Sequence, residues 1–431
     1  MSSSSDSPSP FSLFGDRFRA SSGIVTLMDD LGSALADTSQ AIHMLGGGNP
    51  APIPEVRALW RRLMSDLLHR EPDRFDRMLG FYDTQRGNDR FIKAIAAFFN
   101  RQFGWSLAPE NIAITNGGQS AFFYLFNLLG GTTSRGGVNQ ILLPLVPEYI
   151  GYHGIALHPD TIVPNFPSIE ISEYPFFKYT IDFPNLRWSE SLRAVCLSRP
   201  TNPSANLLSD QEIAQLHFEC RQRGLLLIID NAYGTPFPNL VFKQATPFWG
   251  EGVVLTYSLS KLGLPGTRTG IVIGPPEICQ AISTLNAAAG LATGNIGQSL
   301  TLPLFESGEI SSLSEQILRP YYLETSAAAL RAVQQAFEGL PVRVHAPEGA
   351  LFLWLWFPDL PLTSRKLYQL LKEAGVLVVP GEYFFHGLDR DWAHARECVR
   401  IHHGMDPQRF YEAMVRFAAV VRNLYTERSS G

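Results

Sequence analysis

The chain has 431 residues, 45% of them hydrophobic and 17% charged, with 36 glycines and 30 prolines. That is enough to bury a large core in more than one domain. The formal net charge is −5, with no run of Lys or Arg, which points away from a nucleic-acid or anionic-membrane surface and leaves small-molecule chemistry. Cys196, Cys220, Cys279 and Cys398 are far apart and form no C-x-x-C pair. This spacing argues against a disulfide framework and a zinc site, and fits a reducing cytoplasm.

In chain order, "MSSSSDSPSP" has no apolar signal core, so residues 1–11 are expected to be a disordered leader. Residues 12–70 contain "LGGGNPAPIPE" and are expected to pack with a small C-terminal domain. Residues 71–315 are expected to form the large domain. Here short apolar runs recur ("IAIT", "QILLPL", "AVCLS", "LLLIID", "GVVLTYS", "GIVIG") and alternate with helical patterns. One of these, "SDQEIAQLHFECRQRG", carries a capping box at Ser209 and Glu212 and a stop at Gly224. The alternation predicts an α/β fold with a mainly parallel sheet covered on both faces. From 316 to 431 the pattern changes to long helices around "ALFLWLWF", "VLVVPG" and "CVRIHHG", which predicts a smaller α+β domain. The run "ALFLWLWF" is too short to span a bilayer, so no membrane segment is expected.

Ligands bind outside the carboxyl ends of strands in open parallel sheets, so polar residues there are the candidates. After "AVCLS" comes "RPTNPSAN" with Asn202, and after "LLLII" comes "DNAY" with Asp230 and Tyr233. After "GVVLTY" come Ser258, Ser260 and Lys261, with Arg268 following. After "IAIT" comes "NGGQS", a glycine turn opening a helix at Gly118 and Gln119, whose free N–H groups suit a phosphate. Taken singly, each has an ordinary structural explanation as a turn or cap. Their joint occurrence at strand ends does not.

In that order, "RPTNPSAN", "DNAY", "SLSK" with an arginine seven residues on, and "CVRI" resemble the fold type I pyridoxal-phosphate aminotransferases. "SLSKLGLPGTRTG" and the "EGALFLWLWF" region resemble its valine–pyruvate branch. The resemblance implies a seven-stranded large-domain sheet, pyridoxal 5'-phosphate as cofactor, and amino acid and 2-oxo acid substrates. It makes Lys261 the residue that joins the cofactor aldehyde and carries the proton, and pairs Asp230 with the pyridine nitrogen. Asn202 and Tyr233 would meet the ring's phenolic oxygen, and Tyr149 would stack on the ring. Gly118, Gln119, Ser258, Ser260 and Arg268 would hold the phosphate. Tyr82 would reach it from the partner subunit of a homodimer. Arg400, with Asn202 and the Gly48 backbone, would grip the substrate carboxylate.

Other readings on the same scaffold stay open: a different class I/II aminotransferase of alanine or aromatic type, a β-lyase, or a cofactor-binding regulator without activity. A metal at "IHHG" is not expected, because His402 and His403 are neighbours on a strand and point to opposite faces. Serine-hydrolase and nucleotide-hydrolase motifs are absent from the sequence.

Overall fold

The computed structural model describes residues 10–19, 29–30, 32, 42–388 and 392–430. The leader expected at 1–11 therefore lies almost wholly outside the described residues. Each apolar run read from the central sequence forms a strand of one sheet. Its order is Ile112–Thr115, Gly270–Ile273, Val253–Ser258, Leu226–Asp230, Leu192–Ser198 and Val138–Leu143. Ile162–Pro164 and the two-residue Gly131–Thr132 both pair with Val138–Leu143. Gly270–Ile273 and Gly131–Thr132 run antiparallel to their neighbours and the other pairs are parallel. The central strands are buried on both faces, which is why they read as continuous apolar runs without alternation.

The Asp210–Gln222 helix begins as its sequence predicts. Ser209 Oγ accepts from the Glu212 N–H at 3.2 Å, Glu212 Oε2 accepts from the Ser209 N–H at 2.8 Å, and Gly224 leaves with φ +65°. The returning strand is thereby set beside its parallel partner. Register then aligns Ser198 with Asp230 and Asp230 with Thr256. One row of polar side chains thus crosses three strands at the carboxyl edge. The layer beneath is an aromatic core in which Phe98, Phe237 and Phe305 meet edge to face with centroids 5.1–6.2 Å apart. Each such ring contributes roughly 1.5–3 kcal/mol by burial.

A second, six-stranded sheet has the order Val379–Pro380, Cys398–His402, Phe352–Trp356, Arg343–His345, Phe176–Ile181, Pro167–Ile171. Its last two strands come from mid-chain, inside the span assigned to the large domain. They form an antiparallel hairpin in which alternate residues of "FFKYTI" are buried. The N-terminal segment joins the same side of the molecule. His43–Met44 pairs in parallel with Val376–Leu377, and Leu45 O accepts from the His402 N–H at 2.8 Å. That pairing lays the glycines of "GGGNP" beside the Cys398–His402 strand.

Candidate active site

The stretch 258–268 leaves its strand through two short 3-10 turns, Leu259–Leu262 and Pro265–Thr267. Gly263 lies between them with φ +89° and Arg268 follows with φ +47°. A non-glycine residue held in the left-handed region costs about 1–3 kcal/mol, and such residues cluster where geometry serves function. The reversal turns Arg268 back onto the "NGGQS" loop. Gly117, at φ +89°, must lack a side chain there, because a Cβ would lie 2.1 Å from Arg268 Nη2. The helix from Gly118 to Leu129 has no side-chain cap, so its first N–H groups stay free of partners within the helix. Ser258 Oγ, 3.0 Å from Ser260 Oγ, stands against the same turn, since a Cβ on Gly118 would lie 4.0 Å from Ser258 Cβ. Free N–H groups, a guanidinium and two hydroxyls together make an anion cradle.

Lys261 Nζ donates to the Gly48 carbonyl at 2.5 Å and lies 5.5 Å from the Tyr233 ring centroid. Burial, reinforced by the Arg400 and Arg268 charges, lowers its pKa to about 8. Asp230, at the end of its strand, accepts from Tyr152 Oη at 3.0 Å, the Ala232 N–H at 2.9 Å and Thr256 Oγ1 at 3.3 Å. Burial outweighs these donors and pushes the carboxyl up to about 6. A cation set against it would offset that desolvation.

Arg400 lies on the Cys398–His402 strand, 5% exposed. Its Nη1 donates to Asn202 Oδ1 at 2.8 Å, and its Nη2 donates to the Gly46 carbonyl at 2.7 Å and more weakly to Gly47 at 3.4 Å. Phe352 and Phe384 rings lie 4.2 and 5.3 Å from Cζ. Its buried Nε has no partner. Desolvation lowers its pKa only to about 10, so the cation persists at neutral pH.

Residues 164–417 match the family model described as aminotransferase class I and II. The valine–pyruvate aminotransferase of Escherichia coli K12 is 44% identical over 95% of this chain and 97% of its own length. The chain belongs to the class I and II aminotransferases. The crystal structure of valine–pyruvate aminotransferase from Salmonella typhimurium LT2 superposes with a TM-score of 0.86 at 39% identity, covering 94% of this chain and all of that one. A protein from Psychrobacter arcticum 273-4 gives a TM-score of 0.92 at 41% identity over 97% and 99% of the two chains.

This family of transaminases uses pyridoxal 5'-phosphate, and the aminotransferase's own residues fit that group. The cradle at Gly117, Gly118, Ser258, Ser260 and Arg268 suits its phosphate. Asp230 is a buried carboxyl that gains from a ring cation, and Lys261 is an amine held partly neutral for an aldehyde. Gln119 turns its side chain away: its Nε2 donates to the Gly151 carbonyl at 2.7 Å, which leaves only its backbone for an anion. Tyr149 stands edge-on to Tyr152 with centroids 5.4 Å apart. Gly48 meets Lys261, while the carbonyls against Arg400 are those of Gly46 and Gly47. Tyr82 is 82% exposed and stands outside this cluster. Tyr152 and Glu148, unremarked in the sequence, are buried here, with Tyr152 bonded to Asp230. The Tyr149-x-x-Tyr152 spacing across one tight turn was the available signal.

Among the described residues no helix is long and apolar enough to cross a membrane, and no three metal-binding side chains gather. All four cysteines are free and buried.

Proposed function

We propose that this aminotransferase moves the amino group of L-valine, or a similar apolar amino acid, to pyruvate, giving 3-methyl-2-oxobutanoate and L-alanine in a ping-pong cycle. The observation that carries the reading is the 44% identity to the E. coli valine–pyruvate enzyme along nearly the whole of both chains. Two phenyl rings beside Arg400 support an apolar substrate. Alanine formation from pyruvate, followed with a panel of amino donors, tests it. Valine and its close apolar analogues should lead the panel by at least tenfold over aspartate and glutamate. Efficient use of aspartate with none of valine would refute the assignment. Ammonia released from a β-substituted amino acid would favour the β-lyase reading.

When bound, pyridoxal phosphate supplies an aldehyde for amines and a ring that accepts the electrons of the broken Cα–H bond. With that group bound, Lys261 would supply the amine that joins its aldehyde and, once released, its Nζ would take the Cα proton and pass it to the aldehyde-derived carbon. Asp230 would pair with the ring nitrogen and keep it protonated. The Asn202 amide and the Tyr233 hydroxyl would hydrogen-bond the phenolic oxygen, and Tyr149 would stack on the ring. The Gly118 and Gln119 N–H groups, Ser258, Ser260 and Arg268 hold the phosphate. Arg400 and Asn202 take the substrate carboxylate opposite the Gly48 backbone. To do so, Arg400 Nη2 exchanges the Gly46 carbonyl for a carboxylate oxygen, so binding substrate and displacing the glycine strap are one event.

The protein is further proposed to be a cytoplasmic homodimer in which Tyr82 of one subunit completes the phosphate site of the other. Support comes from Leu79, Phe81, Tyr82 and Leu291, large apolar side chains that are 59–82% exposed. Light scattering should give twice the chain mass, and a monomeric mass with full activity would end this assignment. The six-stranded sheet is proposed as the core of the small domain, with residues 12–70 and the 167–181 hairpin packed into it.

A further inference from the structure

The N-terminal segment meets the Lys261 turn at two points. Its Gly48 carbonyl accepts from Lys261 Nζ at 2.5 Å. Further along, the helix Pro54–Arg70 packs against the backbone that carries the lysine. That helix opens on a proline, which suits the first position because its missing N–H would have no helical partner there. Val56, Trp60 and Leu67 are its buried residues, at spacings of four and seven that keep them on one face.

Trp60 is 7% exposed, and its Nε1 donates to the Leu262 carbonyl at 2.9 Å across 202 residues of chain. Leu262 is fully buried and ends the Leu259–Leu262 turn. Carbonyls at the end of a helical turn have no donor within it. Three residues on, where a continuing 3-10 turn would supply the donor, stands Pro265, which has no N–H. The carbonyl that follows Lys261 is therefore satisfied from outside its own turn, by an indole on a distant helix.

The surrounding backbone is shaped to that bond. Gly263 has φ +89°, and a Cβ there would lie 3.1 Å from Val56 Cγ1 and 3.3 Å from Trp60 Nε1. Glycine is thus required both for the left-handed backbone and for the close approach of the helix. At the start of the turn the Leu259 N–H donates to the Thr269 carbonyl at 3.1 Å, and the Gly263 N–H donates to the Ser260 carbonyl at 3.3 Å. Between Gly48 and the helix, the Ala51 N–H donates to Tyr322 Oη at 2.7 Å. The segment that brings Trp60 to the turn is therefore itself tied down.

We propose that Trp60 is a positioning residue for Lys261: its indole N–H holds the Leu262 carbonyl and so fixes the turn from which the amine reaches the reacting carbon. The inference rests on the assignment of Lys261 made above. A ring at position 60 without an N–H would fill the same space. What the bond adds is direction, because it sets the peptide plane between Leu262 and Gly263, one residue past the lysine. Without it the carbonyl is buried and unpaired, and the turn relaxes toward arrangements that find it another donor.

Three measurements on the full chain test this role. In Trp60→Phe, which keeps a ring and loses the donor, kcat with valine and pyruvate should fall by roughly 5- to 100-fold, the range set by an unpaired buried acceptor and by a reacting group misplaced by about 1 Å. Trp60→Phe added to Lys261→Ala, with turnover carried by a small added amine, should change that rescued rate by less than about twofold, because nothing is left to position. A general loosening of the site would instead slow the rescued and the native reactions alike. In the cofactor-free protein, hydrogen exchange over residues 258–264 should quicken by at least about fivefold in Trp60→Phe, while the six-stranded sheet keeps its wild-type rates. Should Trp60→Phe fold poorly, replacing Trp60 with 3-benzothienylalanine, which has the indole's shape with sulfur in place of N–H, should give the same three results. Wild-type kcat, unchanged exchange at the turn, or an equal loss in the native and the amine-rescued reactions would overturn the proposal. Sustained turnover of Lys261→Ala without added amine refutes the parent assignment instead, whatever Trp60 does.

Discussion

Replacing Lys261 with alanine is expected to lower steady-state alanine formation by roughly 10⁴-fold or more, because the proposed mechanism makes one side chain both nucleophile and proton carrier and each role alone is worth about 10²–10⁴. The amine suits both tasks. With its pKa lowered to about 8, about a quarter of it is neutral at pH 7.5, against roughly one part in a thousand for an unperturbed lysine. Burial is the largest cause, and the flanking Arg400 and Arg268 charges act in the same direction. The phosphate cradle and Asp230 are untouched by the substitution, so Lys261→Ala should still bind cofactor. A small added amine should then recover part of the rate by carrying the proton from solution. Repeated turnover above about one per cent of wild type without added amine would sink the assignment.

The same physical feature made Lys261 readable in the sequence and places it at the candidate site. Central strands buried on both faces produce apolar runs, and a run that stops at a polar residue marks the carboxyl edge. Asp230, Ser258 and Asn202 could be placed that way, each by its position after a single run. Arg400 was readable as a cation between apolar neighbours on a strand. What stayed hidden depends on pairs distant in the chain. Tyr152 meets Asp230 across 78 residues and Glu148 meets Ser198 across 50, and no local pattern encodes either register. A buried glutamate beside a tyrosine also looks like an ordinary turn. The 167–181 hairpin read as part of the large domain because its strands follow the first sheet's in order. It reaches the other sheet through pairing of Val344 with Phe176, a contact that hydrophobic alternation cannot announce.

The glycine strap explains why two distant sequence signals converge. Gly46 and Gly47 offer carbonyls to Arg400, and Gly48 offers its own to Lys261. Backbone oxygens from one turn of chain thus accept from both the buried Arg400 guanidinium and the partly buried Lys261 amine, which lowers the cost of holding the two cations close together. The strap is held by strand pairing at His43–Met44 and by the bond from the His402 N–H to Leu45. Any carboxylate that binds Arg400 must compete with these carbonyls. It wins because a charged, bidentate acceptor is stronger than a neutral one.

Arg400→Lys is accordingly expected to be far from conservative. A lysine keeps the charge but loses the planar fork, so it cannot hold Asn202 Oδ1 on one side while presenting two parallel donors to a carboxylate. Losing one partner of a buried, hydrogen-bonded charge pair costs about 2–5 kcal/mol. At about 1.4 kcal/mol per tenfold, kcat/KM for valine and for pyruvate should fall by roughly 30- to 4,000-fold. Both halves of the cycle should suffer, since both substrates carry the carboxylate. Arg400→Ala should fall further, because it also strips the Phe352 and Phe384 rings of the cation between them. The decisive comparison is the reaction with a simple amine lacking a carboxylate. Its slow rate should change less than about threefold in Arg400→Lys, and the bound cofactor's absorbance should stay at its wild-type position. An equal loss for amine and amino acid would mean that Arg400 supports the fold of the site and does not read the substrate.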